Sequence, residues 1–294
     1  MKKLLWIASA LVALASCSTA KPVTKEIGVQ LYSVRELIGS NEKYDANHAE
    51  VFQKLADMGY TTVEICWYND GKFFNHPVEE IKADLEAAGL KAISTHTMRN
   101  LTDEELAAKD FTAPLEWWKQ CIADHKALGC EYIVAPSFRI PETLEGLKTY
   151  CDYFNAIGKK CAENGILYGY HNHSHEFNKI EDKVIYDFML ENTDPQYVFF
   201  EMDVYWAVMG RAYPVEYFRK YPGRFTMLHI KDHLELGESG MVGFDAIFNN
   251  ADVAGMKDYI VEIEAFTNGD WKESVKMCAD YLLKSDFVKE SYAD

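Results

Sequence analysis

Eight short runs rich in β-branched and aromatic residues recur along the chain: Ile27–Tyr32, Thr61–Ile65, Lys91–Thr95, Glu131–Ala135, Ile166–Tyr170, Tyr197–Glu201, Phe225–Ile230 and Asp258–Ile263. Their starts lie 28 to 40 residues apart, close to the roughly 30 residues that one strand–helix–strand step requires. Between them run stretches of helical period. Ala46–Met58 places Val51, Phe52, Leu55 and Met58 on one face, and Gly59 ends it. Val78–Ala88 ends at Gly89, Leu115–Leu128 at Gly129, and Leu144–Glu163 at Asn164-Gly165. Helix, glycine, strand is the connection of parallel α/β folds. The strand runs lack polar alternation, which predicts strands covered on both faces. Eight such units without a long linker predict a single closed (β/α)8 TIM barrel over residues 26–294.

The N-terminus departs from this pattern. Met1, Lys2 and Lys3 begin it with positive charge, and Leu4–Leu14 is an apolar run too short to span a bilayer. Leu14-Ala15-Ser16 then precedes Cys17, which resembles the lipobox of bacterial lipoproteins. Residues 1–16 read as a signal peptide and residues 17–25 as a polar tether lipidated at Cys17. The expectation is an exported protein anchored to a membrane and facing the periplasm or cell surface. The formal charge of −16, with no basic patch to neutralise phosphates, argues against nucleic acid as a partner. The remaining cysteines (Cys66, Cys121, Cys130, Cys151, Cys161 and Cys278) have long, irregular spacings and mostly apolar neighbours, so they read as small core residues rather than a disulfide framework.

In such a barrel, chemistry collects at the C-terminal ends of the strands. Those ends hold Gln30, Tyr32 and Arg35; Glu64 and Trp67; His96; Pro136 and Ser137; His171, His173, His175 and Glu176; Glu201, Asp203 and Trp206; His229, Lys231 and Asp232; and Glu262 and Glu264. Side chains two apart on a strand share a face. His171 with His173, Glu201 with Asp203, His229 with Lys231 and Glu262 with Glu264 are such pairs, and all are flanked by apolar residues. Carboxylates buried there need a cation or hydrogen-bond donors. A divalent metal on imidazole and carboxylate satisfies them, as would salt bridges across the lumen such as Glu262 with Lys231.

From Ile27 to about Leu283 the chain resembles the xylose isomerase-like barrels of the sugar phosphate isomerase/epimerase type. The resemblance rests on Gly28-Val-Gln-Leu-Tyr-Ser-Val-Arg35, Gly59-Tyr-x-x-Val-Glu64, Ser94-Thr-His96, Tyr170-His-Asn-His173-x-x-Glu-Phe177, Met202-Asp-Val-Tyr-Trp206, Leu228-His-Ile-Lys-Asp232 and Ile260-Val-Glu-Ile-Glu264. It implies metal ligands Glu, Asp, His and Glu on strands five to eight. Asp203, His229 and Glu262 match, with Glu264 as the alternative on strand eight, while His171 stands where relatives carry Glu. That change speaks against symmetric epimerisation by two facing carboxylates. Trp206, where a nuclease branch carries a histidine, speaks against a three-metal nuclease site.

The expected cofactor is therefore a divalent ion (Mn, Co, Zn or Mg) on His171, Asp203, His229 and Glu262. Glu264, Lys231, His96 and Glu176 are the expected acid, base and oxyanion groups. Tyr32, Glu64, Trp67, His173 and Trp206 are the expected sugar contacts. The chemistry is proton removal next to the carbonyl of a sugar or keto-sugar, leading to isomerisation or epimerisation; elimination, or a non-catalytic sugar-binding lipoprotein, are the alternatives. No glycine-rich phosphate cradle occurs in the sequence, and an exported protein meets few sugar phosphates, so the substrate is expected to be unphosphorylated. If Cys17 carries lipid, the wild type partitions into the membrane fraction and is released by detergent, while Cys17→Ala gives unlipidated protein. Wild type found wholly in the cytoplasmic fraction excludes the lipobox.

Overall fold

A computed structural model describes residues 25–292. The signal peptide, Cys17 and all of the tether but Lys25 lie outside the described residues. The chain forms a closed, all-parallel eight-stranded barrel. Its strands are β1 (Gly28–Gln30), β2 (Thr62–Cys66), β3 (Lys91–His96), β4 (Tyr132–Ala135), β5 (Leu167–His171), β6 (Val198–Asp203), β7 (Met227–Lys231) and β8 (Asp258–Glu262). They follow one another in chain order around the barrel, and β1 closes on β8 through Gly28 opposite Ile260 and Val29 opposite Val261.

The larger outer helices are α1 (Asn41–Asp57), α2 (Val78–Ala87), α3 (Thr112–Leu128), α4 (Leu144–Glu163), α5 (Ile185–Asn192) and α6 (Trp271–Lys284). Two start earlier than the hydrophobic period predicts. Ser40 caps α1 by accepting the Lys43 N–H, and Pro114 is tolerated in α3 because it lies in the first turn, where its missing N–H is not needed. Gly59 and Gly129 end α1 and α3 at φ +101° and +103°, conformations that a side chain would strain. Gly158 of α4 lets the helix approach β6, since a Cβ there would lie 2.2 Å from the Tyr197 carbonyl oxygen. The hydrophobic pattern does not show three further elements. They are a small three-stranded sheet spanning 68–77, a hairpin spanning 179–184, and a one-and-a-half-turn helix, Asp103–Ala108, with a Thr102/Glu105 capping box. All six described cysteines are free, five of them buried.

The lumen is layered. Ile93, Tyr132, Val134, Phe199, Met227 and Ile260 form an apolar plug apart from the main core. Two residues further along β6, β7 and β8, the same inward face carries Glu201, His229 and Glu262, and two further along Asp203, Lys231 and Glu264. β3 reaches this face by a bulge. Val63 pairs with Ala92 but Glu64 pairs with Ser94, so one extra β3 residue is inserted. Ser94 and His96 thereby turn inward together with Ile93.

The residue after β3 is held from behind. Thr97 meets Nε2 of His125 at 3.2 Å, while Nδ1–H of His125 donates to the Cys121 carbonyl at 2.6 Å. Burial lowers the His125 pKa to about 4. The unfolded chain, with histidine near 6.5, therefore binds a proton that the folded chain refuses between about pH 6.5 and 4. Stability falls as pH drops through that window, by on the order of 3 kcal/mol from this group. In His125→Gln the unfolding free energy, measured by urea titration at pH 7 and pH 4.5, is expected to lose a smaller amount than in wild type; an equal loss excludes His125 as the cause.

Candidate metal centre

Strand register assembles the acidic corner of the site. Asp203 lies opposite His229, and Lys231 opposite Glu262. Asp203 commits Oδ1 to the helix that follows, accepting the Trp206 N–H at 2.7 Å. The Asn172 side chain clamps the Asp203 backbone, accepting its N–H at 3.2 Å and donating to its carbonyl at 3.3 Å. Oδ2 of Asp203 and Nδ1 of His229 are buried without a hydrogen-bond partner among the described residues. These two atoms stand 3.9 Å apart, and Glu262 Oε2 lies 3.7 Å from the same Nδ1. Buried polar atoms are normally paired, so two orphans and a carboxylate meeting at one point fit a divalent cation. Burial pushes the Asp203 carboxyl up to about 7, against the pull of Lys231 and His229. Burial also acts on Glu262, but the adjacent His229 and Lys231 outweigh it and hold that carboxyl down at about 2. Lys231 stands 3.5 Å from Glu262 and 3.3 Å from Glu264, and these carboxylates with Asp203 outweigh its burial and raise its pKa.

A second ring of polar groups lies beneath. Glu64, fully buried, accepts from Gln30 at 2.6 Å and Ser94 at 2.5 Å, and lies 2.8 Å from His229 Nε2 and 2.9 Å from His96 Nε2. Its contact with Nε2 directs the other nitrogen of His229 toward Asp203 and Glu262, the arrangement of a carboxylate that orients a metal-binding histidine. Glu201 Oε2 is approached by His96 Nε2 at 3.0 Å, His171 Nδ1 at 3.2 Å and His229 Nε2 at 3.5 Å. Burial opposes charge on His96, but Glu64 and Glu201 overcome it and raise that ring to about 9. His171 is driven far the other way by burial and by the neighbouring His229 and His96, which keeps it neutral.

A cavity of about 360 Å³ opens above, lined in part by Tyr32, His96, His171, His173, Glu262 and Glu264. Of the residues the sequence proposes as ligands, Asp203, His229 and Glu262 thus share one corner, while His171 groups with His96 and Glu201. Glu264 and Lys231 pair at the mouth. Tyr32 is exposed and stands 6.3 Å from Trp67, centroid to centroid. His173 and Trp206 form another ring pair, 5.9 Å apart. Trp67 lines a neighbouring pocket, Lys231 and Trp206 are not among the residues lining the cavity, and two more proposed residues are buried away from it. Glu64 sits in the buried lower ring. Glu176 is buried in the loop after β5, where it accepts from the Tyr170 hydroxyl at 2.6 Å and the His173 N–H at 2.9 Å. Gln30, Ser94 and Glu201 carry no role in the sequence reading. The shared face of Glu201 and Asp203 is the one signal that could have singled out Glu201.

The chain matches the xylose isomerase-like TIM barrel family over residues 52–281. Among solved structures it is similar to two sugar phosphate isomerases/epimerases from Parabacteroides distasonis. One is 39% identical, with 90% of this chain and 100% of that chain covered and a TM-score of 0.81. The other is 36% identical, with 95% and 100% covered and a TM-score of 0.82. It is also 25% identical over 204 residues to an inosose dehydratase from Geobacillus kaustophilus, a match spanning 62% of this chain and 61% of that protein. Matched over most of its barrel and carrying its polar groups at the C-terminal strand ends, the chain belongs to the xylose isomerase-like TIM barrel family.

Proposed function

We propose that the chain is a divalent-metal-dependent enzyme that removes a proton next to the carbonyl of an unphosphorylated sugar or keto-sugar, as an isomerase or epimerase. The observation that carries this reading is the convergence of Asp203 Oδ2, His229 Nδ1 and Glu262 Oε2, two of them buried without partners, at the floor of an open cavity. An ion held by these groups supplies Lewis acidity to a carbonyl and an adjacent hydroxyl. Lys231, held cationic by its carboxylate neighbours, offsets negative charge as it develops on oxygen. Glu264, at the cavity wall and not required by the corner, takes the proton. The cavity wall presents two carboxylates, Lys231 is already paired, and the Arg35 guanidinium beside the mouth is engaged with the Tyr32 ring and the Glu264 carbonyl, which together disfavour a phosphate dianion.

Elimination is the second reading, favoured by the asymmetry of the cavity. Carboxylates line the β8 side, whereas β3 and β5 contribute the imidazoles of His96, His171 and, just beyond β5, His173. Burial and the nearby His175 lower His173 to about 4, so neither it nor His171 carries charge near neutral pH. Two facing carboxylate bases are absent from this wall, and one base suits the loss of a β-substituent. The similarity to an inosose dehydratase supports the same reading.

Wild type is expected to exchange solvent deuterium into a keto-sugar and to lose that exchange when chelated. In Glu264→Gln, bound metal stays and kcat falls by about 10²–10⁴. In Glu262→Gln, metal content falls first. If Glu264 only binds a sugar hydroxyl, its variant raises KM and leaves kcat nearly intact. Unchanged turnover in both variants removes β8 from the reaction, and no exchange with any keto-sugar tried returns the protein to sugar binding without turnover.

A further inference from the structure

We propose that the lumen holds a second divalent ion of the zinc class, on His96, His171 and Glu201, one layer below Asp203 and distinct from the corner of Asp203, His229 and Glu262. Three ring nitrogens, from β3, β5 and β7, stand 3.0, 3.2 and 3.5 Å from Glu201 Oε2, and two of them, on His96 and His229, are shared with Glu64 Oε1 at 2.9 and 2.8 Å. A carboxylate oxygen has two lone pairs, and with His229 paired to Glu64 those of Glu201 Oε2 meet the nitrogens of His96 and His171. The other oxygen of the same carboxylate, Oε1, is fully buried with no partner among the described residues. Hydrogen bonds thus occupy Oε2 and leave Oε1 unused, although the donor atoms of His96, His171, Glu201 and His229 all lie within 4.8 Å of one another.

A cation among these atoms would give the carboxylate of Glu201, with its buried and unpartnered Oε1, a further partner. Tetrahedral zinc, with bonds of about 2.0–2.2 Å, sets its ligand atoms roughly 3.3–3.5 Å from one another, near the separations found here. Nitrogen-rich sets select zinc-like ions over magnesium or calcium, whereas the oxygen-richer corner of Asp203, His229 and Glu262 is less selective. His229 lies between the two sets. Its Nε2 remains 2.8 Å from Glu64 and its Nδ1 faces the corner, so it need not leave either neighbour, whereas His96 Nε2 would exchange its 2.9 Å contact with Glu64 for the ion. His96 and His171 line the cavity, which gives the ion a route in.

The test uses the full chain, stripped by chelator, reloaded with excess Zn²⁺ and desalted. Zinc per chain by mass spectrometry is expected at two in wild type, one in His96→Ala and in Glu201→Gln, and one in Asp203→Asn. Wild type holding one zinc that is lost in Asp203→Asn overturns the second ion and leaves the corner standing. Two zinc ions retained in both His96→Ala and Glu201→Gln also overturn it, and no zinc in wild type overturns both sites. A titration of wild type with Co²⁺, followed by visible absorption, needs no variant. A break at two equivalents supports the proposal, and a break at one overturns it.

Discussion

Side chains from β1, β3 and β7 converge on Glu64, a carboxylate with no access to solvent. Ionised carboxylates are costly to bury, and removing a partner from such a group costs on the order of 3–5 kcal/mol. Gln30 and Ser94 offset part of that cost with neutral donors, and His96 and His229 offset the rest with imidazole. The arrangement fixes two of the site's rings at once. It aims His229 at the acidic corner and His96 at the cavity floor. Loss of the Glu64 carboxylate would free both rings, although Glu64 itself is buried beneath the cavity.

The bulge in β3 is what makes that convergence possible. A strand of unbroken alternation carrying Ile93 inward would place Thr95 on the lumen and turn Ser94 and His96 outward. The inserted residue instead sets Ser94 opposite Glu64 and brings His96 to the same face. The irregularity thus supplies a hydroxyl donor and an imidazole to a layer that the regular strands furnish with carboxylates. His125, behind Thr97, holds the end of this strand from the outside, linking an outer helix to the site.

Much of this was legible in the residues themselves. Eight apolar runs fell on the eight barrel strands, and glycine marked the ends of α1 and α3. Two-residue parity put Asp203, His229 and Glu262 on the lumen face. What the residues could not show depends on register and on backbone outside the ordinary regions. The pairing of His171 with Glu201, rather than with Asp203, follows from the β5–β6 register. The buried place of Glu64, against its expected contact with sugar, follows from donors that arrive across the barrel. The small sheet after β2 turns through positive φ at Trp67, Asp70, Phe74 and Asn75, where no hydrophobic period announces it.

The apolar plug of Ile93, Tyr132, Val134, Phe199, Met227 and Ile260 shuts the lumen from below. A ligand of the cavity would therefore enter from its open side, past Tyr32, His173 and Glu264. Were the acidic corner to hold an ion, depth would impose an order of traffic: the ion would settle first and depart last. A filled cavity would then act as a stopper, and the residence time of such an ion would lengthen whenever the space above it is taken.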